Sequence, residues 1–284
     1  MIGAATIVNE YDPDAIAYFV RMESAGAAPD SARRTVLNAL FTSLKAPAGS
    51  DPAPWGKLRH LAIQGNLNKA CGLLDLKNNF NLTEVNGSGG TPGTHVTDRG
   101  YTPASGGGAL DSGFTPSAHL TQTFPPPGPA PYIADFSLGM FIRGTISAAA
   151  STSAGCTDNT NFCQFIPLNS DQLSVHAMNK TAGAAYRLGT SSASLTNPCL
   201  IMGGDFNNAY GFLNGAAMTR SGGPTGGSDA LPNRSIVFGG YNQPAGITTF
   251  AAQALATIIG LGLTAAQALA IYNALNAYKT AIGA

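Results

Sequence analysis

Tyr210-Gly-Phe-Leu-Asn-Gly-Ala-Ala-Met-Thr-Arg220 holds the strongest local fold signal in this 284-residue chain. Two short runs flank Asn214-Gly215. Both of those residues tolerate a positive φ, which a two-residue hairpin turn demands. The segment therefore predicts two antiparallel strands, Tyr210–Leu213 and Ala217–Arg220. The same texture extends outward in both directions. From Asn79 to Tyr241, short runs with β-type alternation are separated by Gly, Pro, Ser and Asn clusters. They predict strands at Asn81–Asn86, His95–Arg99, Ala109–Phe114, Phe136–Ile146, Phe162–Leu168, Leu173–Met178, Ala185–Leu188, Cys199–Gly203 and Ser235–Tyr241. The Pro-rich stretch 124–131 reads as an extended loop.

Both ends read as helical. Asp12-Pro13 gives an N-cap followed by proline at the first helical position. Asp30-Ser31 starts a second helix, with Val36, Leu37, Leu40, Phe41 and Leu44 as its apolar stripe and Pro47 as its stop. Trp55–Ile63 and Leu67–Leu74 are expected to be further helices. At the other end, Thr264-Ala-Ala-Gln267 has the form of a capping box, and Gly283 sits where a C-terminal cap belongs. The expected organisation is a helical docking segment over residues 1–78 and a β-sandwich domain over 79–284, closed by a C-terminal helix.

Only 11% of residues are charged, against a usual quarter, and 15 basic residues balance 15 acidic ones. This balance supplies no electrostatic handle for nucleic acid or an anionic membrane. A chain so poor in surface charge is expected to cover surface against neighbours, including copies of itself. The run Phe250–Leu263 is broken by Thr257, Gly260 and Gly262 and is too short to span a bilayer, so no membrane insertion is expected. The stretch Met1–Glu10 lacks the basic and apolar regions of a signal peptide.

Catalytic chemistry is hard to place. Glu84 is the only Glu in the strand-rich part, and its Asp residues (Asp98, Asp111, Asp135, Asp158, Asp171, Asp205 and Asp229) are sparse. There is no Gly-x-Ser-x-Gly elbow and no phosphate loop, and Gly106-Gly-Gly108 reads as a turn. The histidines His60, His95, His119 and His176 are scattered, so a zinc site is not expected. Cys156 and Cys163 flank a polar loop. They are either two free thiols or a small disulfide formed in oxidising surroundings. Tyr241-Asn242 at a strand end and Tyr101 are candidate sugar contacts, because glycan binding uses aromatic platforms with polar neighbours; packing is the competing role for such aromatics.

Several segments, in their order, resemble phage and prophage structural proteins. They are Asp14-Ala-Ile-Ala-Tyr-Phe19, Ser31-Ala-Arg-Arg-Thr-Val-Leu-Asn-Ala-Leu40, Asn79-Phe-Asn-Leu-Thr83, Asp98-Arg-Gly-Tyr-Thr102, Leu110-Asp-Ser-Gly-Phe-Thr-Pro116, Leu231-Pro-Asn-Arg-Ser-Ile236 and Gly260-Leu-Gly-Leu-Thr264 into Ala270-Ile-Tyr-Asn-Ala-Leu-Asn-Ala-Tyr278. The resemblance implies a concanavalin A-like (laminin-G-like) antiparallel jelly roll with an N-terminal helical segment and a C-terminal helix. It also implies a non-enzymatic virion component of the tail, neck or head, as decoration or fibre. Such a protein is assembled in the bacterial cytoplasm and works through other virion proteins and its own copies. The alternative it implies is a receptor- or glycan-binding module that touches a host surface glycan. The family has no agreed active site to carry over, so no cofactor is expected. Calcium is the one ion to weigh, because laminin-G-type folds hold it at a rim. Asp158, Asn159 and Asn161, or Asp205, Asn207 and Asn208, are its candidate ligands; turn formation is their competing role.

Overall fold

A computed structural model describes residues 10–86, 90–104, 107–120, 136–147, 154–159, 162–169, 172–176, 186–188, 194–204, 209–222, 231–249 and 252–284. The Pro-rich stretch 124–131, Asn161, and the set Asp205, Asn207 and Asn208 lie outside these residues.

The helix signals act as read. The Asp12 side chain accepts from the Asp14 N–H and opens the helix Pro13–Ser24. Asp30 accepts from the Arg33 N–H and opens Ser31–Lys45. Thr264 and Gln267 form a complete capping box on Ala265–Ala281. Each cap satisfies orphan N–H groups that the first helical turn leaves exposed. Gly283 takes a left-handed φ of 71° just past the last helix.

The strands form two main antiparallel sheets. In the first, the described order is Ala216–Ala217, Ala209–Leu213, Cys199–Gly204, Phe136–Arg143, Gln253–Leu261, Gly100–Thr102 and Thr94–Val96. The strand Leu58–Ile63 also pairs along Gln253–Leu261. The hairpin at Asn214-Gly215 is present: φ is 51° and 79° at the two turn residues, and Leu213 pairs with Ala216. The second sheet runs Arg220–Gly222, Tyr186–Leu188, Gln172–His176, Phe162–Asn169, Ala154–Thr157, Val237–Phe238, Ala109–Asp111 and Thr83–Val85. The hairpin Gly240–Gln243 with Gly246–Thr249 lies beside Ala154–Thr157.

The protein is thus mainly β: an antiparallel sandwich with helices at its N-terminal and C-terminal ends. One apolar cluster lies between the sheets. It joins Leu138, Met140, Ile142, Leu200 and Met202 to Leu110, Ala154, Phe165 and Phe238. A second cluster joins the opposite face of the first sheet, through Leu61, Ile63, Phe141, Ile201 and Ile258, to Tyr18, Leu37, Phe41, Ile271 and Leu275 of the helices. The first sheet is therefore covered on both faces.

Three sequence readings need correction. Ala217–Arg220, expected as one strand, is divided between Ala216–Ala217 of the first sheet and Arg220–Gly222 of the second. Leu58–Ile63, expected as part of a helix, is a strand. Leu67–Leu74 holds only the short helix Lys69–Gly72. Gln253–Leu261, which shows no alternation, is a central strand of nine residues. Strands covered on both faces lose the polar half of the period-two pattern, and that loss hides them in the sequence.

Candidate functional site

Tyr101 is not a platform. It is 1% exposed and faces the core between the sheets. Its hydroxyl donates to Glu84 Oε1 (2.6 Å) or the Gly108 carbonyl (2.7 Å) and accepts from the Gly93 N–H (3.1 Å). Lys69 pairs with the same Glu84 carboxylate. Burial, and then Glu84 beside it, push the phenol's pKa up. The group is a polar clamp between the sheet margins, with no face open to a ligand.

Tyr241 is also buried, at 7% exposure. Burial raises its pKa, and Cys156 and Cys163 beside it act in the same direction. The two cysteines are directly opposed across neighbouring strands, Cys156 opposite Cys163. Both thiols are free and buried.

Asn242 opens a different picture. Its Nδ2 donates to the Ser235 carbonyl (3.0 Å) and to Ser235 Oγ (3.3 Å), and its Oδ1 accepts from the Arg234 guanidinium (3.4 Å). Ser235 Oγ donates to Asp111 Oδ2 (2.8 Å), and Asp111 Oδ1 accepts from the Gly113 N–H (2.8 Å). Arg234, Ser235, Asn242 and Asp111 are all half-buried. Leu110 and Phe238 point into the core, so Asp111, next in its strand, points to the opposite face of the second sheet. The array is assembled by two laced segments: the Ile236 N–H donates to the Phe114 carbonyl, and the Ser112 N–H donates to the Ile236 carbonyl. Gly239, at a left-handed φ of 73°, turns the chain back so that Asn242 arrives beside Cys156. A Cβ at Gly239 would lie 2.3 Å from Pro103 Cγ. Only glycine combines that backbone with that approach.

This array presents planar amide, guanidinium and carboxylate groups in one partly open strip. A guanidinium carries five N–H donors, and among the described residues one of them is engaged, with Asn242. The remaining donors can meet sugar hydroxyls or an acid group. Of the sequence candidates, the structure brings Asn242 into this strip, places Tyr241 next to it in the chain, and puts Tyr101 elsewhere. Asp111, Arg234 and Ser235 carry no site signal in the sequence, although they lie within the motifs Leu110-Asp-Ser-Gly-Phe and Leu231-Pro-Asn-Arg-Ser-Ile236.

A second polar cluster has the residue types of a catalytic relay. The His60 ring bonds the Phe80 carbonyl through Nδ1 (2.9 Å) and Thr257 Oγ1 through Nε2 (3.0 Å), and Asp75 lies 3.7 Å away. A carbonyl can only accept, so Nδ1 carries the proton and Nε2 accepts from the threonine hydroxyl. Gln64 Nε2 donates to the same Thr257 oxygen (3.0 Å). His60, Asp75 and Thr257 are 0% exposed. Burial pushes the His60 pKa down, against the nearby Asp75. The ring is neutral and sealed from substrate, so the cluster organises the interior.

Among the described residues no group of three or more His, Cys, Asp or Glu side chains is placed to hold a metal ion. Asn159 takes a left-handed φ of 76°, and its N–H donates to Thr157 Oγ1 (3.0 Å), as in a turn.

No family model matches the chain, and no curated protein matches it in sequence. Solved structures do match it in shape. A mutant of Trypanosoma rangeli sialidase displaying trans-sialidase activity is 12% identical; the match covers 86% of this chain and 39% of that one, with a TM-score of 0.51. Trypanosoma rangeli sialidase in complex with sialic acid is 15% identical, covering 84% and 38%, with a TM-score of 0.49. Domain 4 of AbnA, an extracellular GH43 arabinanase from Geobacillus stearothermophilus solved with arabinotriose, is 16% identical, covering 76% and 98%, with a TM-score of 0.46. The chain spans about two fifths of the sialidase chains it matches. At these identities the likeness is one of fold: this chain and part of the sialidase share a β-sandwich.

Proposed function

We propose that this chain is a non-enzymatic, saccharide-binding β-sandwich module of a bacteriophage adsorption structure, with Arg234, Asn242, Ser235 and Asp111 as its contact strip. The observation that carries the reading is the half-buried, hydrogen-bonded array of planar polar groups on the outward face of the second sheet. Its side chains are already held by one another, so a sugar meets them preorganised and little freedom is lost on binding. The guanidinium favours a glycan that carries a carboxylate over its neutral analogue. The bound saccharide stays intact, because the acids nearest the core serve the fold: Asp75 accepts backbone N–H groups and Glu84 is shared by Lys69 and Tyr101. No cofactor takes part, so a chelator leaves binding unchanged. The test is titration of the full chain with oligosaccharides from the host cell surface. Saturable binding that Arg234→Ala weakens at least tenfold supports the reading. Equal binding by the variant, or cleavage of the sugar, overturns it.

A second reading is favoured by the sequence itself. With 11% charged residues and no net charge, the chain suits a structural subunit of the virion that covers surface against other virion proteins and its own copies. Purified particles then contain the chain in several copies. Its confinement to the soluble host extract would sink both readings.

A further inference from the structure

Cys156 and Cys163 occupy opposed positions on neighbouring antiparallel strands, with Gly155 opposite Gln164 just before them. Opposed residues of such a pair have Cα atoms about 4.5–5.5 Å apart. A disulfide spans about 4.4–6.8 Å between Cα atoms. Gly155, at a φ of 149°, keeps the backbones close there, since a Cβ on it would lie 2.2 Å from the Cys163 carbonyl oxygen. The other two cysteines cannot compete. Cys71 and Cys199 belong to the apolar cluster under the helices, whereas Cys156 and Cys163 belong to the cluster between the sheets. The first sheet separates the two sets.

We infer that Cys156 and Cys163 are a covalent modification site: a cross-strand dithiol that closes to a disulfide when the folded protein meets a low-molecular-weight disulfide such as oxidised glutathione. One cysteine thiolate attacks the glutathione disulfide, forming a mixed disulfide and releasing one glutathione thiolate. The second cysteine loses its proton and attacks the protein sulfur of that mixed disulfide, releasing the second glutathione. The net change is two protein thiols and one glutathione disulfide to one protein disulfide and two glutathione thiols. The protein is oxidised by two electrons and the glutathione is reduced by two. Both thiols are buried, at 0% and 3% exposure, so attack waits for local opening of the strand pair. Burial and then Cys163 push the Cys156 thiol pKa upward, which slows the first step further. The dithiol therefore survives assembly in a reducing cytoplasm and closes slowly after release. Closure staples the strand that runs beside Asn242, and it does not depend on the sugar-binding reading.

The experiment uses the full chain, purified reduced and then held with oxidised glutathione. Intact mass is expected to fall by two hydrogens, and a peptide map is expected to join Cys156 to Cys163 while Cys71 and Cys199 stay alkylatable after unfolding. Sub-denaturing urea should speed closure. The oxidised form should melt about 5–10 °C higher than the reduced one. The Cys156→Ala and Cys163→Ala variants should show no oxidant-dependent shift. If a variant fails to fold, the peptide map of the wild-type chain decides alone. Four free thiols after prolonged oxidation, glutathione adducts that never resolve, or a bridge to Cys71 or Cys199 would each overturn the inference.

Discussion

The Leu61 N–H donates to the Asp75 carboxylate at 2.9 Å, and both groups are fully buried. The acid stands where a strand neighbour's carbonyl would otherwise accept. It also accepts from the N–H groups of Lys77 (3.2 Å), Asn79 (2.8 Å) and Phe80 (3.0 Å). Asp75→Ala leaves these donors without a partner and should lower stability by about 4 kcal/mol. Asp75→Asn retains one accepting oxygen and should cost about half as much. Urea unfolding followed by the fluorescence of Trp55, the only tryptophan, measures both.

Acid should weaken the fold through His60. Burial holds its folded pKa below the ordinary value of 6.5. The unfolded chain takes up a proton near pH 6.5 that the folded one declines. Stability is therefore complete above that pH and falls below it, by up to about 1.4 kcal/mol per pH unit, until the folded ring itself protonates. His95 is depressed too, chiefly by its partial burial, and acts in the same direction. Urea midpoints at about pH 7.5 and about pH 5 test this, with the lower value expected at acid pH. His60→Gln should reduce the slope.

The hairpin turn makes a local prediction. Gly215 has a φ of 79°, and a Cβ there would lie 2.8 Å from the Leu269 Cα. Gly215→Ala strains the backbone and pushes the last helix away, at about 2 kcal/mol. Asn214→Ala loses a hydrogen bond as well, because Asn214 Oδ1 accepts from the Cys199 N–H at 2.8 Å. A similar loss is expected, read from the melting temperature.

Binding and stability should separate between two variants. Tyr101→Phe removes a buried hydroxyl with three partners and should cost about 2 kcal/mol of stability without changing sugar affinity. Arg234→Ala, at a half-buried surface position, should change stability by less than about 1 kcal/mol and abolish most binding. Calorimetric titration paired with thermal melts of both variants reads the separation. Equal loss of affinity in the two would remove the special role of the strip.

Local signals were the legible part of the sequence. Asp12, Asp30 and Thr264 each act through neighbours two or three residues away, the Asn214-Gly215 pair turns the chain through its own backbone angles, and each does in space what its position implies. The strands Leu58–Ile63 and Gln253–Leu261 escaped because their faces meet apolar surface on both sides, and a continuous apolar run fits helix and strand alike. The site was less legible. Asn242 stood out as a polar residue at a strand end. Its strip depends on Asp111 meeting Ser235, 124 positions apart, and no spacing rule brings those two together. Tyr101 misled for a related reason: its distant partner Glu84 turned a candidate platform into a clamp.

Sealing one sheet from both sides leaves it with an ambiguity of its own. A strand that is oily above and below gains nothing from knowing which way is up, and a slip by one residue would keep Gln253–Leu261 just as deeply buried. Thr257 breaks the tie. Its hydroxyl reaches His60 and Gln64 only in the alignment that sets Thr257 across from Ala62 and Ile259 across from His60. One step over, the hydroxyl would be stranded among leucines and isoleucines beneath the helices while an imidazole nitrogen lost its donor. Thr257, deep in the strand, and Gln253 at its start, which accepts from Arg143 at 3.3 Å, thus both favour the observed alignment.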